Sequence, residues 1–179
     1  MGNDYTNQAW IRKLRTSIEE TSYDMENREH MVHGKLTVIN FDRFKEEYLK
    51  EHGFDITLAY SVDALAKDDK YTYLIEFKNG DFNSTQIVNK LKDSVMMICD
   101  VWGKTISTSR KEIKFVLVIN KNRYTNLGIQ DKIAISKANC SGGQQPIYGL
   151  DKANVYVNQA MIFDTDGFTQ KLLPKLISV

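Results

Sequence analysis

The sequence predicts an α/β fold, a mixed sheet flanked by helices in a single domain. Three observations predict it. Residues 54–65 and 71–78 alternate apolar and polar positions with a period of two, separated by the turn Lys67-Asp68-Asp69-Lys70. Residues 40–52 and 85–102 carry apolar side chains at helical spacing. Residues 113–120 are almost continuously apolar, as expected of a central strand covered on both faces. The chain of 179 residues fits one domain spanning 1–179, and its 42% hydrophobic content suffices for one core.

In chain order, Trp10, Ile11, Leu14 and Ile18 recur at helical spacing. Residues 3–20 therefore read as an N-terminal helix with Arg12, Lys13, Arg15, Glu19 and Glu20 toward water. Residues 21–34 are polar and charged, a loop or frayed helix end holding His30 and His33, and residues 36–39 are extended. Asn40 or Asp42 caps the next helix, which runs to His52 and stops at Gly53. Its apolar stripe is Phe41, Phe44 and Tyr48, with Glu51 near the stripe and Glu47 at its margin.

In 54–65, Ile56, Leu58, Tyr60 and Val62 alternate with Thr57, Ala59, Ser61 and Asp63, as one long strand or two shorter ones bent near Ala59. A two-residue turn at Asp69-Lys70 then sets Asp63 directly opposite Glu76, with Cβ atoms about 4.5–5.5 Å apart. Lys78 shares the face of Glu76. Tyr60, Val62, Tyr73, Ile75 and Phe77 take the other face, and a one-residue slip would separate the acids.

Asn83 or Ser84 caps the helix that ends at Trp102 and Gly103. Ile87, Leu91, Val95, Ile98 and Trp102 line its buried side, and Gln86 and Lys90 lie one turn apart near its start. Residues 104–123 set Lys104, Arg110, Lys111, Lys114, Lys121 and Arg123 against the single acid Glu112. Residues 127–137 read as a weaker helix, 140–149 as a flexible loop and 155–163 as a strand. Thr165 or Asp166 caps a closing helix that Pro174 disrupts.

The 24 basic and 23 acidic residues leave a net charge of +1, which gives no global basic signature but allows a local patch. Cys99 and Cys140 have no CxxC spacing and read as reduced thiols. The absence of HExxH argues against zinc. With no membrane-length apolar run and no signal peptide, the expected location is the cytoplasm, with no membrane partner.

Asp63 and Glu76 on neighbouring strands repel each other unless one is protonated or a cation lies between them. A hard divalent ion prefers such oxygen ligands, and an adjacent lysine can stabilise negative charge or orient water. These are the parts that phosphodiester hydrolysis needs.

Asp63, followed by Glu76-Phe77-Lys78 at the end of an apolar strand, resembles the PD-(D/E)xK nuclease superfamily. The string Leu-Ile-Glu-Phe-Lys-Asn-Gly, followed by a helix carrying Lys90 and Asp93-Ser94, resembles uncharacterised bacterial proteins of this type. The resemblance implies a restriction-endonuclease-like core (αβββαβ) over residues 40–120, with an extra N-terminal helix and C-terminal strand-helix. It implies Mg²⁺ or Mn²⁺, one or two ions, held by Asp63, Glu76 and the Phe77 carbonyl, with Lys78 as the catalytic lysine. Glu51 or Glu47, and Gln86 or Lys90, are the accessory candidates. Lys104, Arg110 and Lys111 are the candidate phosphate contacts. The residue before Asp63 is Val62 rather than the proline of the superfamily's name, which many members also lack. The expected activity is Mg²⁺-dependent hydrolysis of DNA. The alternative is a catalytically silent nucleic-acid-binding or protein-interaction module on the same fold, and a homodimer through the helix around Trp10 is a further expectation.

Overall fold

Strands with apolar residues on both faces must be covered on both sides, and the computed structural model, which describes residues 9–123 and 150–179, has that arrangement. A six-stranded mixed sheet is built from β1 (Arg15–Ser17), β4 (Thr37–Asn40), β5 (Ala64–Lys67), β6 (Thr72–Lys78), β7 (Ile113–Ile119) and β8 (Gln159–Asp164), in that spatial order. The pairings from β1 through β6 are antiparallel, and β6–β7 and β7–β8 are parallel. A separate two-stranded hairpin joins β2 (Tyr23–Asp24) to β3 (Glu29–His30).

Two cores result. Leu74 of β6 and Phe115, Leu117 and Ile119 of β7 face α3 (Phe41–Glu51) and α4 (Ser84–Val101). Tyr73, Ile75, Phe77, Val116 and Val118 face Ile18, Val32 and the C-terminal Phe168, Leu172 and Leu176. Asn40 caps α3 by accepting from the Arg43 amide, and Asn83 caps α4 by accepting from the Thr85 and Gln86 amides. Gly53 (φ 72°) and Gly103 (φ 59°) follow the two helices in the left-handed conformation that ends a helix cheaply only for glycine.

Several expectations are corrected. Within residues 3–20, the described part is not one helix. It divides into α1 (Ala9–Arg12), β1 and α2 (Ile18–Thr21). The apolar residues at helical spacing serve two different cores: Ile11 and Leu14 join one and Ile18 the other, so the backbone must cross the sheet edge between them. Pairing of Arg15–Ser17 with Thr37–Ile39 makes that crossing a strand.

Residues 54–63 are turns rather than strand, and Phe54, Ile56, Leu58 and Tyr60 are exposed. β4 pairs with the outer edge of β5, and the loop's amides bond instead to side chains: Thr57 to Asp55, Tyr60 to Asp93 and Val62 to Ser94. Two strands, not three, therefore lie between α3 and α4.

The basic stretch contains an unforeseen helix, α5 (Ile106–Glu112), before β7. Residues 150–155 form a 3₁₀ turn, so the last strand begins only at Gln159. Asp164, rather than Thr165 or Asp166, caps the closing segment, which passes through α, π and 3₁₀ turns to Lys175. The predicted helix at 127–137, the loop at 140–149 and Cys140 lie outside the described residues. Among the described residues, no helix is long and apolar enough to cross a membrane.

Candidate functional site

The β5–β6 hairpin sets the site. Its turn is the two-residue Asp69-Lys70 connection: the Asp68 amide donates to the Tyr71 carbonyl at 3.0 Å, and the Asp68 carboxylate accepts from the Lys70 and Tyr71 amides. The register Ala64↔Ile75 through Lys67↔Thr72 follows from it. Just before β5, the Asp63 amide also donates to the Ile75 carbonyl at 3.0 Å. Two residues thus meet one, as in a bulge, which turns the chain and re-aims Asp63. Val62 consequently joins the α4-side core, not the face of Tyr73, Ile75 and Phe77.

Glu76 shares the face of Leu74 along β6 and is therefore driven into the α4-side core, where it is 0% exposed. A carboxylate so buried needs charge and hydrogen-bond partners. Lys90 reaches down from α4, its Nζ 2.7 Å from Glu76 Oε1 and 3.8 Å from Asp63 Oδ1. Lys78 Nζ approaches the same Glu76 Oε1 at 2.9 Å. Glu76 Oε2 is buried with no hydrogen-bond partner among the described residues. The Phe77 amide donates to Asp63 Oδ2 at 2.6 Å.

Burial and then the neighbouring Glu76 charge push the Asp63 carboxyl well above its usual range, against the opposing pull of Lys90, the Phe77 amide and Lys78. Burial alone would lower the Lys90 pKa. Asp63, Glu76 and Asp42 outweigh it and hold the ammonium above its usual value.

α4 fixes both sides of this cluster. Ser94, itself buried, donates to the Lys90 carbonyl at 2.8 Å and accepts from the Val62 amide at 3.0 Å. Asp93 accepts from the Tyr60 amide at 3.0 Å. The segment leading into Asp63 is therefore tied to the helix that supplies Lys90.

A cleft of about 310 Å³ opens over Asp63, Phe77 and Lys78, walled on the other side by Ser22, Tyr23 and Asp24. It lies near the carboxyl end of β6, where open α/β sheets bind ligands. Asn79 ties its far wall down: its amide donates to Asp24 at 2.8 Å and Glu29 at 2.7 Å and accepts from Asn120 at 2.8 Å. Asp24, Glu26, Asp63 and Asp81 line the cleft with Lys78, so its field is acidic.

Asp63, Glu76 and Lys78 are thus brought together, and Lys90 joins them. Gln86 lies one turn away on α4, in a separate small pocket with Lys90. Glu47 pairs with Lys50 at 3.5 Å, and Glu51 faces a cavity with His52 and Asp100; neither is a partner of Asp63 or Glu76. The proposed phosphate contacts lie elsewhere. Lys104 and Glu112 form an ion pair, Arg110 donates to the Val155 carbonyl at 2.7 Å, and Lys111 is exposed on α5. α5 leads into Ile113, which pairs with Thr72 at the opposite end of β6 from Lys78. Position along the chain did not reveal this, because a basic run carries no information on which strand end it will flank. Nothing in the sequence pattern pointed to Asn79 and Asp24, whose roles depend on contacts with Glu29 and Asn120 distant in the chain.

The donor set suits a hard cation that keeps waters and takes one or two carboxylates, and the orphaned Glu76 Oε2 is an atom such a cation would satisfy. Among the described residues, no group of three or more His, Cys, Asp or Glu side chains could hold a metal, so the remaining ligands would be backbone oxygen and water. The chain matches no family model, no curated protein and no solved structure.

Proposed function

We propose that the protein is a divalent-metal-dependent nuclease that hydrolyses phosphodiester bonds, with DNA as the expected substrate. The observation that carries this reading is the Asp63–Glu76 pair, two crowded carboxylates of which one keeps a buried oxygen without a partner among the described residues. The order α3, β5–β6, α4, β7 supports a core of the restriction-endonuclease-like kind in a version with two strands between the helices. The acidic cleft adds support, since a phosphate enters it favourably only alongside a cation.

In this reading Asp63, Glu76 and the Phe77 carbonyl would hold Mg²⁺ or Mn²⁺, which supplies Lewis-acid polarisation of the phosphoryl oxygen and a more acidic bound water. Lys78, part-exposed at the cleft, orients the attacking water or stabilises charge on the phosphate. Lys90 holds Glu76 aligned beside Asp63.

The test is cleavage of plasmid and oligonucleotide DNA with Mg²⁺ or Mn²⁺, together with calorimetric ion binding. Wild type is expected to cut and to bind the ion. Glu76→Ala is expected to lose cleavage by at least about 100-fold while remaining folded. A purified protein that neither binds the ions nor cuts DNA or RNA would falsify the proposal.

One observation favours a second reading. Lys78 and Lys90 together balance the two acids, so the cluster can be stable without a metal. A silent binding module on this fold would bind nucleic acid or protein equally well after Asp63→Ala.

A further inference from the structure

We propose that the pocket beside Lys90 receives one unpaired nucleobase, so that the substrate is single-stranded or locally unpaired nucleic acid. This rests on the nuclease reading and specifies its substrate.

The pocket has a volume of about 220 Å³ and is lined by Tyr60, Gln86, Asn89 and Lys90. A nucleobase is a flat π-faced plate edged with hydrogen-bond donors and acceptors, and each wall matches one of those features. Tyr60 is 61% exposed, an aromatic ring with no core to fill. Its loop also exposes Phe54, Ile56 and Leu58, more apolar surface than a closed loop needs. The loop is not loose at this point: the Tyr60 amide is held by Asp93 and the Val62 amide by Ser94. The ring is therefore presented from a fixed backbone, which lowers the ordering cost of stacking.

Gln86 and Asn89 lie three residues apart on one face of α4. Each side-chain amide offers both donors and an acceptor, and none of these is taken up by another described residue. Such amides read base edges, and a base inside a duplex stack keeps its faces covered and cannot enter. Lys90 is common to the pocket and the acid pair, its Nζ 2.7 Å from Glu76. A base in this pocket therefore lies against the side chain that also holds Glu76.

The experiment measures fluorescence anisotropy of labelled oligo-dT, oligo-U and a hairpin duplex of equal length, in Ca²⁺, and cleavage of the same probes in Mg²⁺. Single strands are expected to bind more tightly than the duplex. Tyr60→Ala should weaken single-strand binding by about tenfold, as expected for one lost stacking contact, and Tyr60→Phe should retain it. Gln86→Leu and Asn89→Leu should alter the preference among homopolymers. Equal binding of single strand and duplex, with Tyr60→Ala without effect, overturns the pocket assignment. If the duplex is then cut in a Glu76-dependent way, the nuclease reading survives it. A protein that binds and cuts nothing overturns both. Self-association that Tyr60→Ala abolishes would identify the exposed loop as a protein contact and also overturn the assignment.

Discussion

At the scale of single residues, the site is a contest between burial and charge. Glu76 sits in an apolar face, where Lys78 and Lys90 both reach its Oε1. Truncating a partner of a buried charge costs more than the pair itself contributes, because the remaining charge is stranded. Lys90→Met is therefore expected to lower unfolding stability by about 2–4 kcal/mol in a urea titration, with Mg²⁺ restoring part of the loss. Burial and the neighbouring Glu76 carboxylate give Asp63 a pH-dependent contribution. Its folded-state pKa is raised, so the folded chain keeps a proton that the unfolded chain has released. Asp63 thus costs no stability below about pH 4 and a growing amount as pH rises toward its folded value. Asp63→Asn keeps an oxygen for the Phe77 amide but does not titrate. Compared with wild type in metal-free buffer, the urea midpoint of the variant should rise steadily from pH 4 upward. A constant difference across that range would contradict the assignment.

At the scale of elements, local signals decided most boundaries and one decided the site. The Asp69-Lys70 turn fixes the β5–β6 register, and that register brings Asp63 to the Glu76 end of the neighbouring strand. α4 then matters as the carrier of Lys90, Asp93 and Ser94. Asn83 caps its first turn through two backbone amides, so Asn83→Ala should cost about 1 kcal/mol, read as a lowered thermal midpoint. At the other end, Gly103 has φ 59° and open space where a Cβ would lie, so Gly103→Ala should cost about 1 kcal/mol from backbone strain alone. The 54–63 segment illustrates where periodicity misleads. Its alternation is real, but the Thr57, Tyr60 and Val62 amides are satisfied by Asp55, Asp93 and Ser94, and Phe54, Ile56, Leu58 and Tyr60 remain in water while Val62 turns into the core.

At the scale of the whole molecule, the sheet separates two cores, and the site lies where three parts of the fold meet: the β6 end, the first half of α4 and the β2–β3 hairpin. Asn79 is the joint that holds the hairpin over the cleft, with partners Asp24, Glu29 and Asn120. Arg123 reinforces it through Glu29 at 3.0 Å and Asn27 at 2.6 Å. Asn79→Ala removes three hydrogen bonds at the surface of the fold without touching either core. Amides in residues 23–30 should exchange faster with deuterium while those of β6 and β7 keep their protection. Equal exchange in the hairpin would show that other contacts hold it.

The sequence by itself determined the α/β class, the α3 and α4 helices with their caps, the central β7 strand and the hairpin register that pairs the Asp63 region with Glu76. Each rests on short-range information: apolar period, cap residues and turn length. Tertiary structure alone decided that Ile11 and Ile18 belong to opposite cores, that Val62 turns inward beside α4, that Lys90 rather than Glu47 or Glu51 completes the charged cluster, and that Lys104, Arg110 and Lys111 lie at the far strand end. The physical reason is common to all four. A periodic pattern states which side of an element avoids water, but the partner that covers that side, or neutralises a charge buried in it, comes from a distant part of the chain.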